Sequence, residues 1–156
     1  MGLLIGRFQP FHNGHLYLIK EALQSVDRLI IGIGSSNVQN EDNPFDYETR
    51  KEMIQTVFAY ESLKGKLLRI VSIPDDPDDD EWLRIVKKEA GRFDVGIGNN
   101  EWTNGIFERV GIPVVRIPYF KRDLYEGTKI RERIKRRESL DDVIPSYIDV
   151  YNLKKF

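Results

Sequence analysis

The sequence contains no cysteine, and only two of its 156 residues are histidine. The lack of cysteine excludes a disulfide framework and any zinc or redox site built on thiolates, and it fits a cytoplasmic protein. No apolar run is long enough to span a bilayer, and the N-terminus has the pattern of a strand rather than a signal peptide, so we expect no membrane partner. The formal net charge of −1 gives no reason to expect a nucleic acid as partner.

The remaining composition is that of an ordinary globular protein, with 31% charged and 40% hydrophobic residues. The length predicts one domain that spans residues 1–156. Segments with strand character alternate with helical patterns, and a helix is also expected after Pro145. This alternation predicts an α/β fold, a doubly wound parallel sheet with helices on both faces and right-handed crossovers. The predicted strands cover residues 3–5, 26–34, 67–73, 93–98 and 112–117.

The first predicted strand leads through a tight loop into a helix. His12 and His15 fall three residues apart in the predicted first helical turn, and so lie on roughly one face. A helix N-terminus exposes N–H groups and the positive end of the helix dipole, both of which attract phosphate. A third zinc ligand is missing, and Arg7 suits an anion better than a cation. We therefore interpret the loop as a phosphate site rather than half of a metal site or two chance surface histidines, and we predict no metal ligands.

A second candidate anion site follows residue 126. Gly127 interrupts the chain, Thr128 is the predicted N-cap of the next helix, and Arg131 falls in its first turn. Ile130 should lie on the buried face of that helix. Most of the other cations in this basic stretch are typical of a solvated face. Arg131 differs because it lies beside the cap, and it is predicted to bind an anion.

Three further residues each have two possible interpretations. Arg50 lies in the first turn of a helix with Asp46 as predicted N-cap, where a cation suggests an anionic ligand, although single surface arginines are commonly only solvated. Ser35, at the carboxyl end of the second strand, belongs either to a plain turn or to a ligand site. Trp82 is either core or a platform for an aromatic base. The acidic run over residues 75–81 is interpreted as a solvated loop that caps a helix.

The segment Gly6-Arg7-Phe8-Gln9-Pro10-Phe11-His12-Asn13-Gly14-His15 resembles the opening motif of the nucleotidyltransferase superfamily with the H-x-G-H signature. This version of the motif is most similar to the one in archaeal-type nicotinamide mononucleotide adenylyltransferases. Gly127-Thr128-Lys129-Ile130-Arg131 matches the second signature of that superfamily. The resemblance covers nearly the whole chain, and it implies a Rossmann-like five-stranded sheet of order 3-2-1-4-5.

The resemblance also implies an activity: transfer of AMP from ATP to nicotinamide mononucleotide by direct in-line attack, giving NAD and pyrophosphate. ATP and nicotinamide mononucleotide would be the partners, and Mg²⁺ would be the cofactor that accompanies ATP. The relatives are often multimeric, and archaeal members are commonly hexameric, which implies a homo-oligomer such as a hexamer. No Ser or Cys nucleophile with a neighbouring base is visible in the motifs, which disfavours a covalent intermediate.

Roles for individual residues follow from the same resemblance. The catalytic residues would be His12, His15 and Arg131. ATP would be bound by Gly6, Arg7, Phe8, Arg50, Gly98, Asn99, Arg122, Tyr125, Gly127, Thr128 and Ile130. The acceptor would be bound by Ser35 and Trp82, with the Trp82 indole stacked on the nicotinamide ring. Two alternatives stay open, the first of them because the acids before Trp82 depart from the family pattern. One is a sister transferase that acts on phosphopantetheine or flavin mononucleotide, and the other is a non-catalytic nucleotide-binding module.

Overall fold

The computed structural model describes residues 1–153, so the last three residues of the predicted domain lie outside the described part. The strands are β1 (Gly2–Gly6), β2 (Leu29–Ile33), β3 (Leu67–Ser72), β4 (Val95–Gly98) and β5 (Val114–Arg116). The α-helices are α1 (Asn13–Ala22), α2 (Tyr47–Tyr60), α3 (Asp79–Ala90), α4 (Glu101–Arg109) and α5 (Gly127–Lys135). Short 3₁₀ helices cover Lys64–Lys66 and Val150–Asn152.

The strands form one parallel sheet of order β3-β2-β1-β4-β5, which confirms the predicted fold class and strand order. The central strand β1 pairs with β2 along its whole length and with β4 at Gly2 and Leu3. All five strands therefore end at the same edge. In open sheets of this kind, ligands bind outside the carboxyl ends of the strands, where the connections to the helices run.

Alternation along the strands separates two apolar cores, because successive strand side chains point to opposite faces of a sheet. Leu4 and Ile31 pack in the core that includes buried side chains of α1, α2 and α5. Leu3 and Ile30 pack in the other core, with buried side chains of α3 and α4. Helices thus cover both faces. Within residues 1–153, no helix has the length and apolar character needed to cross a membrane.

The helix predicted after Pro145 is wrong. Turns and the 3₁₀ helix Val150–Asn152 occupy this region instead. Ile148 and Val150 are both buried in the first core, while Asp149 between them is exposed and has an extended backbone. This alternation suits an extended segment, and a continuous helix would carry one of the two apolar side chains away from the core.

Candidate active site

A cleft of about 200 Å³ opens at the carboxyl edge of the sheet, bounded by the β1–α1 loop, the β4–α4 loop, the segment before α5, and α5 itself. Most of the predicted site residues line it. They are Gly6, Arg7, Phe8, His12, His15, Asn99, Arg122, Tyr125, Gly127, Thr128 and Arg131. The two motifs, which are more than 110 residues apart in the chain, therefore form one site.

His12 is the N-cap of α1, so its predicted position within the first helical turn is wrong by one residue. Its backbone is extended, with φ −140° and ψ 175°, and its Nδ1 accepts a 3.0 Å hydrogen bond from the Gly14 N–H. His15 lies at the third helical position, and its Nδ1 accepts a 3.1 Å bond from the backbone N–H of His12. The two imidazoles form a reciprocal capping box that satisfies two backbone donors. Each neutral ring consequently carries its proton on Nε2.

The two imidazole rings stack on one another, with centroids 3.7 Å apart and an interplanar angle of 26°. Phe8 and Phe11 contact His15 at centroid distances of 4.7 and 5.4 Å. Burial and the charge of Arg122 lower the pKa of His12 to about 3. Burial, His12 and Arg122 hold the pKa of His15 well below its usual value. At neutral pH, both rings are therefore neutral N–H donors at the start of α1.

These pKa values have a consequence for stability. In the unfolded chain a histidine has a pKa of 6.5 and binds a proton below that pH. In the folded protein the pKa of His12 is lowered to about 3, so the ring stays neutral until the pH falls to that range. Stability is therefore retained above pH 6.5 and is lost as the pH falls toward 3, by about 1.4 kcal/mol per pH unit for each such histidine. We expect His12→Asn, which keeps a capping side chain but cannot titrate, to show a shallower fall in melting temperature with acid. Equal slopes for the two proteins would contradict this assignment.

Gly14 lies against the His12 ring. A Cβ at this position would stand 2.8 Å from Cε1 and 2.9 Å from Nδ1 of that ring. We expect Gly14→Ala to displace the ring and lower kcat/KM between about tenfold and a hundredfold, because small misplacements of reacting groups have effects of that size. The control is Gly105→Ala in α4, where a Cβ meets no described atom within 4 Å. That variant should keep full activity and gain about 0.5–1 kcal/mol of stability, and equal activity of both variants would contradict the expectation.

Arg131 is almost buried, with 8% of its surface exposed, and its guanidinium is fixed by two hydrogen bonds. Nη1 donates to the Gln9 carbonyl oxygen at 2.9 Å, and Nη2 donates to Thr128 Oγ1 at 3.3 Å. A Cβ on Gly127 would stand 2.8 Å from Nη1, so the absence of a side chain there makes room for the guanidinium. Burial lowers the pKa of Arg131, but an arginine stays charged in proteins.

The predicted N-cap of α5 is wrong. The helix begins at Gly127, two residues before the predicted start, and the capping position belongs to Glu126, whose side chain makes no capping hydrogen bond. Arg131 is consequently the fifth helical residue and not part of the first turn. Thr128 is instead within the first turn, where its hydroxyl accepts a hydrogen bond from Arg131. The glycine favours this shift because it brings no Cβ toward the guanidinium. Thr128 therefore contributes to the site by orienting Arg131.

Arg50 is fully buried and lies outside the residues that line the cleft. Asp46 caps α2 as predicted, accepting a hydrogen bond from the Thr49 N–H. The Arg50 guanidinium donates from Nη1 to the carbonyl oxygens of Arg7 and Gly34, at 2.8 and 2.7 Å, and so ties together the ends of β1 and β2. Nη2 is buried and finds no hydrogen-bond partner in the described part of the chain.

The structure does not bring Gly98, Ile130, Ser35 or Trp82 to the cleft wall. Ile130 is fully buried in the first core, as its predicted position on the buried face of α5 requires. Gly98 is buried at the end of β4. Ser35 Oγ donates to Asp75 Oδ1 at 2.9 Å, which joins the loops that follow β2 and β3. No residue of these four has a geometry that by itself identifies a ligand contact.

Trp82 is only 3% exposed and packs in the second core, which matches the core interpretation of this residue. Its ring lies 4.8 Å from that of Trp102, at an interplanar angle of 57°, and 6.3 Å from that of Phe107. Trp102, in the first turn of α4, is half exposed. The exposed indole at this end of the sheet is therefore that of Trp102, while stacking of Trp82 on an acceptor ring stays a prediction.

Sequence reasoning missed several residues of the cleft. Gln9 lies inside the first motif, but its role depends on a contact 36 residues away. Asn100 caps α4 by accepting a hydrogen bond from the Thr103 N–H, a signal that the Asn-Asn pair after the fourth strand could have provided. Tyr119 and Phe120 line the cleft, and Arg122 lies over the Tyr119 ring at 4.3 Å. The segment between β5 and α5 is rich in aromatic residues, and this composition could have indicated that it belongs to the site.

Residues 3–133 match the cytidylyltransferase-like family. The chain belongs to this family. It is 33% identical over 145 residues to the nicotinamide-nucleotide adenylyltransferase of Thermococcus kodakarensis, an alignment that covers 92% of this chain and 77% of the relative. It is 36% identical over 145 residues to the nicotinamide-nucleotide adenylyltransferase of Methanococcus aeolicus, covering 92% of this chain and 83% of the relative. The resemblance to archaeal nicotinamide mononucleotide adenylyltransferases is thus confirmed.

A solved structure supports the same placement within the cytidylyltransferase-like family. The bifunctional NMN adenylyltransferase/ADP ribose pyrophosphatase of Francisella tularensis, complexed with AMP and a manganese ion, has a TM-score of 0.72 and 29% identity to this chain. The match covers 89% of this chain and 42% of that longer chain. The chain is therefore a nucleotidyltransferase in fold and in family.

Proposed function

We propose that this protein transfers the AMP group of ATP to nicotinamide mononucleotide, with release of NAD and pyrophosphate. One observation carries the proposal beyond family membership. Two stacked, neutral imidazole donors at the N-terminus of α1 share a cleft with the cations Arg7, Arg122 and Arg131. A cleft of this kind suits two phosphate-bearing substrates that must be aligned against their mutual repulsion.

The histidines act as hydrogen-bond donors and not as bases. In each ring Nδ1 already accepts a backbone hydrogen bond, and Nε2 carries the proton, so neither ring has a free lone pair for a substrate proton. The proposed attacking group, a phosphate oxygen of the mononucleotide, is already ionised and needs no base. The two Nε2–H groups would instead stabilise negative charge that develops around the α-phosphorus of ATP, as donors in a preorganised site do.

The arginines supply the positive charge that the leaving pyrophosphate requires. Arg131 is held in place by the Gln9 carbonyl and by Thr128, so its orientation is set before substrate arrives. Arg7 and Arg122 line the same cleft. Arg50, with one unpartnered buried donor, would reach a phosphate through Nη2 or would act only by holding the β1 and β2 ends together.

We propose that this site holds Mg²⁺ through the phosphates of ATP. Among residues 1–153, no three His, Cys, Asp or Glu side chains come together as metal ligands. We therefore propose that Mg²⁺ arrives bound to ATP, where it would neutralise phosphate charge, and that the protein supplies arginine and histidine donors around it. The Francisella relative was crystallised with AMP and manganese, which supports a divalent cation beside the nucleotide in that protein.

We propose that the nicotinamide ring of the acceptor stacks on one of the two tryptophans, Trp82 or Trp102. Trp82 is the residue that the family resemblance proposes for stacking, and Trp102 is its exposed neighbour. We expect nicotinamide mononucleotide to quench tryptophan fluorescence, because stacking brings the ring within contact of an indole. Trp102→Phe and Trp82→Phe, titrated separately, identify which indole reports binding. No quenching in the native protein at concentrations that saturate turnover would contradict the stacking.

The test of the proposed function is a comparison of acceptors. Pyrophosphate release from Mg-ATP is measured with nicotinamide mononucleotide, nicotinate mononucleotide, phosphopantetheine and flavin mononucleotide, each offered alone. We expect release with nicotinamide mononucleotide. Release only with phosphopantetheine or flavin mononucleotide would keep the roles of the histidines and arginines and would overturn the assignment of the acceptor and of Trp82. ATP binding without release in any reaction would favour a nucleotide-binding module.

Two further features stay predictions: assembly into a homo-oligomer, which the resemblance implies, and a cytoplasmic location, which the lack of cysteine favours. Light scattering coupled to size-exclusion chromatography tests the first directly. A monomer at micromolar concentration would contradict it.

A further inference from the structure

Gln9 is a buried polar residue of the first motif, and its side chain has no role in the proposed function as described so far. Only 3% of its surface is exposed. Its Nε2 donates to the Phe45 carbonyl oxygen at 2.9 Å, and its Oε1 accepts from the Phe45 N–H at 2.9 Å. One side-chain amide thus pairs with both backbone groups of a residue in a different loop. Paired, buried hydrogen bonds of this kind hold two segments at a fixed separation, because breaking them leaves unsatisfied groups.

Phe45, which Gln9 holds by these two hydrogen bonds, leads directly into the helix that carries Arg50. Phe45 is followed by Asp46, the N-cap of α2. Arg50 Nε donates to the Asp46 carbonyl oxygen at 3.2 Å, and its Nη1 donates to the Arg7 carbonyl oxygen at 2.8 Å. The amide of Gln9 therefore fixes the start of α2 relative to the β1–α1 loop, and with it the position of the buried guanidinium.

The backbone of Gln9 makes the connection to the second motif. Its carbonyl oxygen accepts the 2.9 Å hydrogen bond from Arg131 Nη1. Three residues further along the chain, His12 begins the histidine pair. Gln9 consequently contacts the segment before Arg50 and the Arg131 guanidinium, and it lies in the loop that leads to the histidines.

We propose that Gln9 is a positioning residue for phosphate transfer in this site, setting the spacing between Arg50, Arg131 and the histidine pair. This inference rests on the proposed function. Gln9 acts through these groups, because its amide is engaged by Phe45. Positioning residues of this kind change the rate by moving reacting groups, and displacements of about 1 Å can lower rates by up to about a hundredfold.

The test is Gln9→Glu, which keeps the shape of the side chain. An ionised carboxylate has no donor for the Phe45 carbonyl oxygen and repels it, whereas the protonated acid restores a donor and an acceptor. Near pH 8 we expect kcat/KM to be at least about tenfold below that of the native protein. As the pH is lowered toward 5, the ratio of variant to native kcat/KM should rise. Taking this ratio cancels the titration of substrate and of groups that both proteins share, including His12, His15 and the nearby arginines.

Gln39 provides a matched control. It is exposed, and its Nε2 donates to the carbonyl oxygen of Pro44, the residue before Phe45, at 3.3 Å. Gln39→Glu should therefore have native kcat/KM at every pH. A second variant, Gln9→Met, has similar length without polar atoms and should show a loss that does not depend on pH. Melting temperatures are measured in parallel, so that all assays are made on folded protein.

The outcomes separate the inference from the proposed function. Loss with recovery at low pH in Gln9→Glu, and constant loss in Gln9→Met, would support positioning by Gln9. Folded variants within about twofold of native kcat/KM, or a Gln9→Glu loss without recovery, would overturn it, and so would loss of folding in both variants, which would leave a structural role. Absence of NAD formation by the native protein would overturn the proposed function instead.

Discussion

His15→Ala should lose about a hundredfold in kcat while the protein still folds. Removal of one donor from a preorganised anion site costs about 3 kcal/mol in the transition state. His15 is also the acceptor for the His12 N–H and a stacking partner of the His12 ring at 3.7 Å, so its loss disturbs both donors. The measurement is steady-state pyrophosphate release with nicotinamide mononucleotide, with circular dichroism as the check on folding.

Lys20→Ala on the same helix is the control for His15→Ala. Lys20 is exposed, and its ammonium makes a 2.9 Å ion pair with Glu61 at the surface, far along α1 from the capping box. Such pairs contribute little to stability, so the variant should keep native turnover. A fully active His15→Ala protein would remove His15 from the catalytic residues and would leave it a capping role.

Arg131→Ala should have an effect of similar or larger size, between about a hundredfold and a thousandfold in kcat/KM. The guanidinium is buried, charged and fixed by Gln9 and Thr128, so it is preorganised for phosphate and its loss leaves the leaving group uncompensated. Arg131→Lys should recover only part of the activity, because a lysine cannot make two directed hydrogen bonds from a planar fork. The same pyrophosphate assay measures both variants.

Arg133 is a matched control for Arg131, since it is the same residue type on the same helix. Its guanidinium faces Asp142 and the Ser139 carbonyl oxygen at the surface. Arg133→Ala should keep kcat/KM within about twofold of the native value. Equal losses in the two variants would mean that α5 tolerates no charge change, and that Arg131 has no special part in the reaction.

The fold could be predicted because its signals are local. Apolar strands and helical patterns alternate along the chain, and the parallel sheet follows from that alternation. The strand order came from the family resemblance. The start of α2 was predicted from its Asp46 cap. The start of α5 was not, since Thr128 is the better cap by residue type and yet the helix begins directly after Glu126. The backbone near Gly127, which brings Arg131 against Gln9, decides between them.

The site was partly predictable for a related reason. His12, His15 and Arg131 were identified because each lies beside a helix start, where anions bind. The burial of Arg50 was not predictable, because its partners are carbonyl groups at the ends of two strands that only the folded sheet brings together. The contact of Trp82 with Trp102 was likewise not predictable, because Trp102 lies on another helix.

The proposed chemistry is tested most directly by the products formed from Mg-ATP and nicotinamide mononucleotide. NAD and pyrophosphate are quantified from the same reaction by chromatography, with the native protein and with His15→Ala in parallel. We expect one NAD for each pyrophosphate, formed by the native protein and reduced about a hundredfold in the variant. A native protein that binds ATP but forms no NAD from nicotinamide mononucleotide would contradict adenylyl transfer to this acceptor.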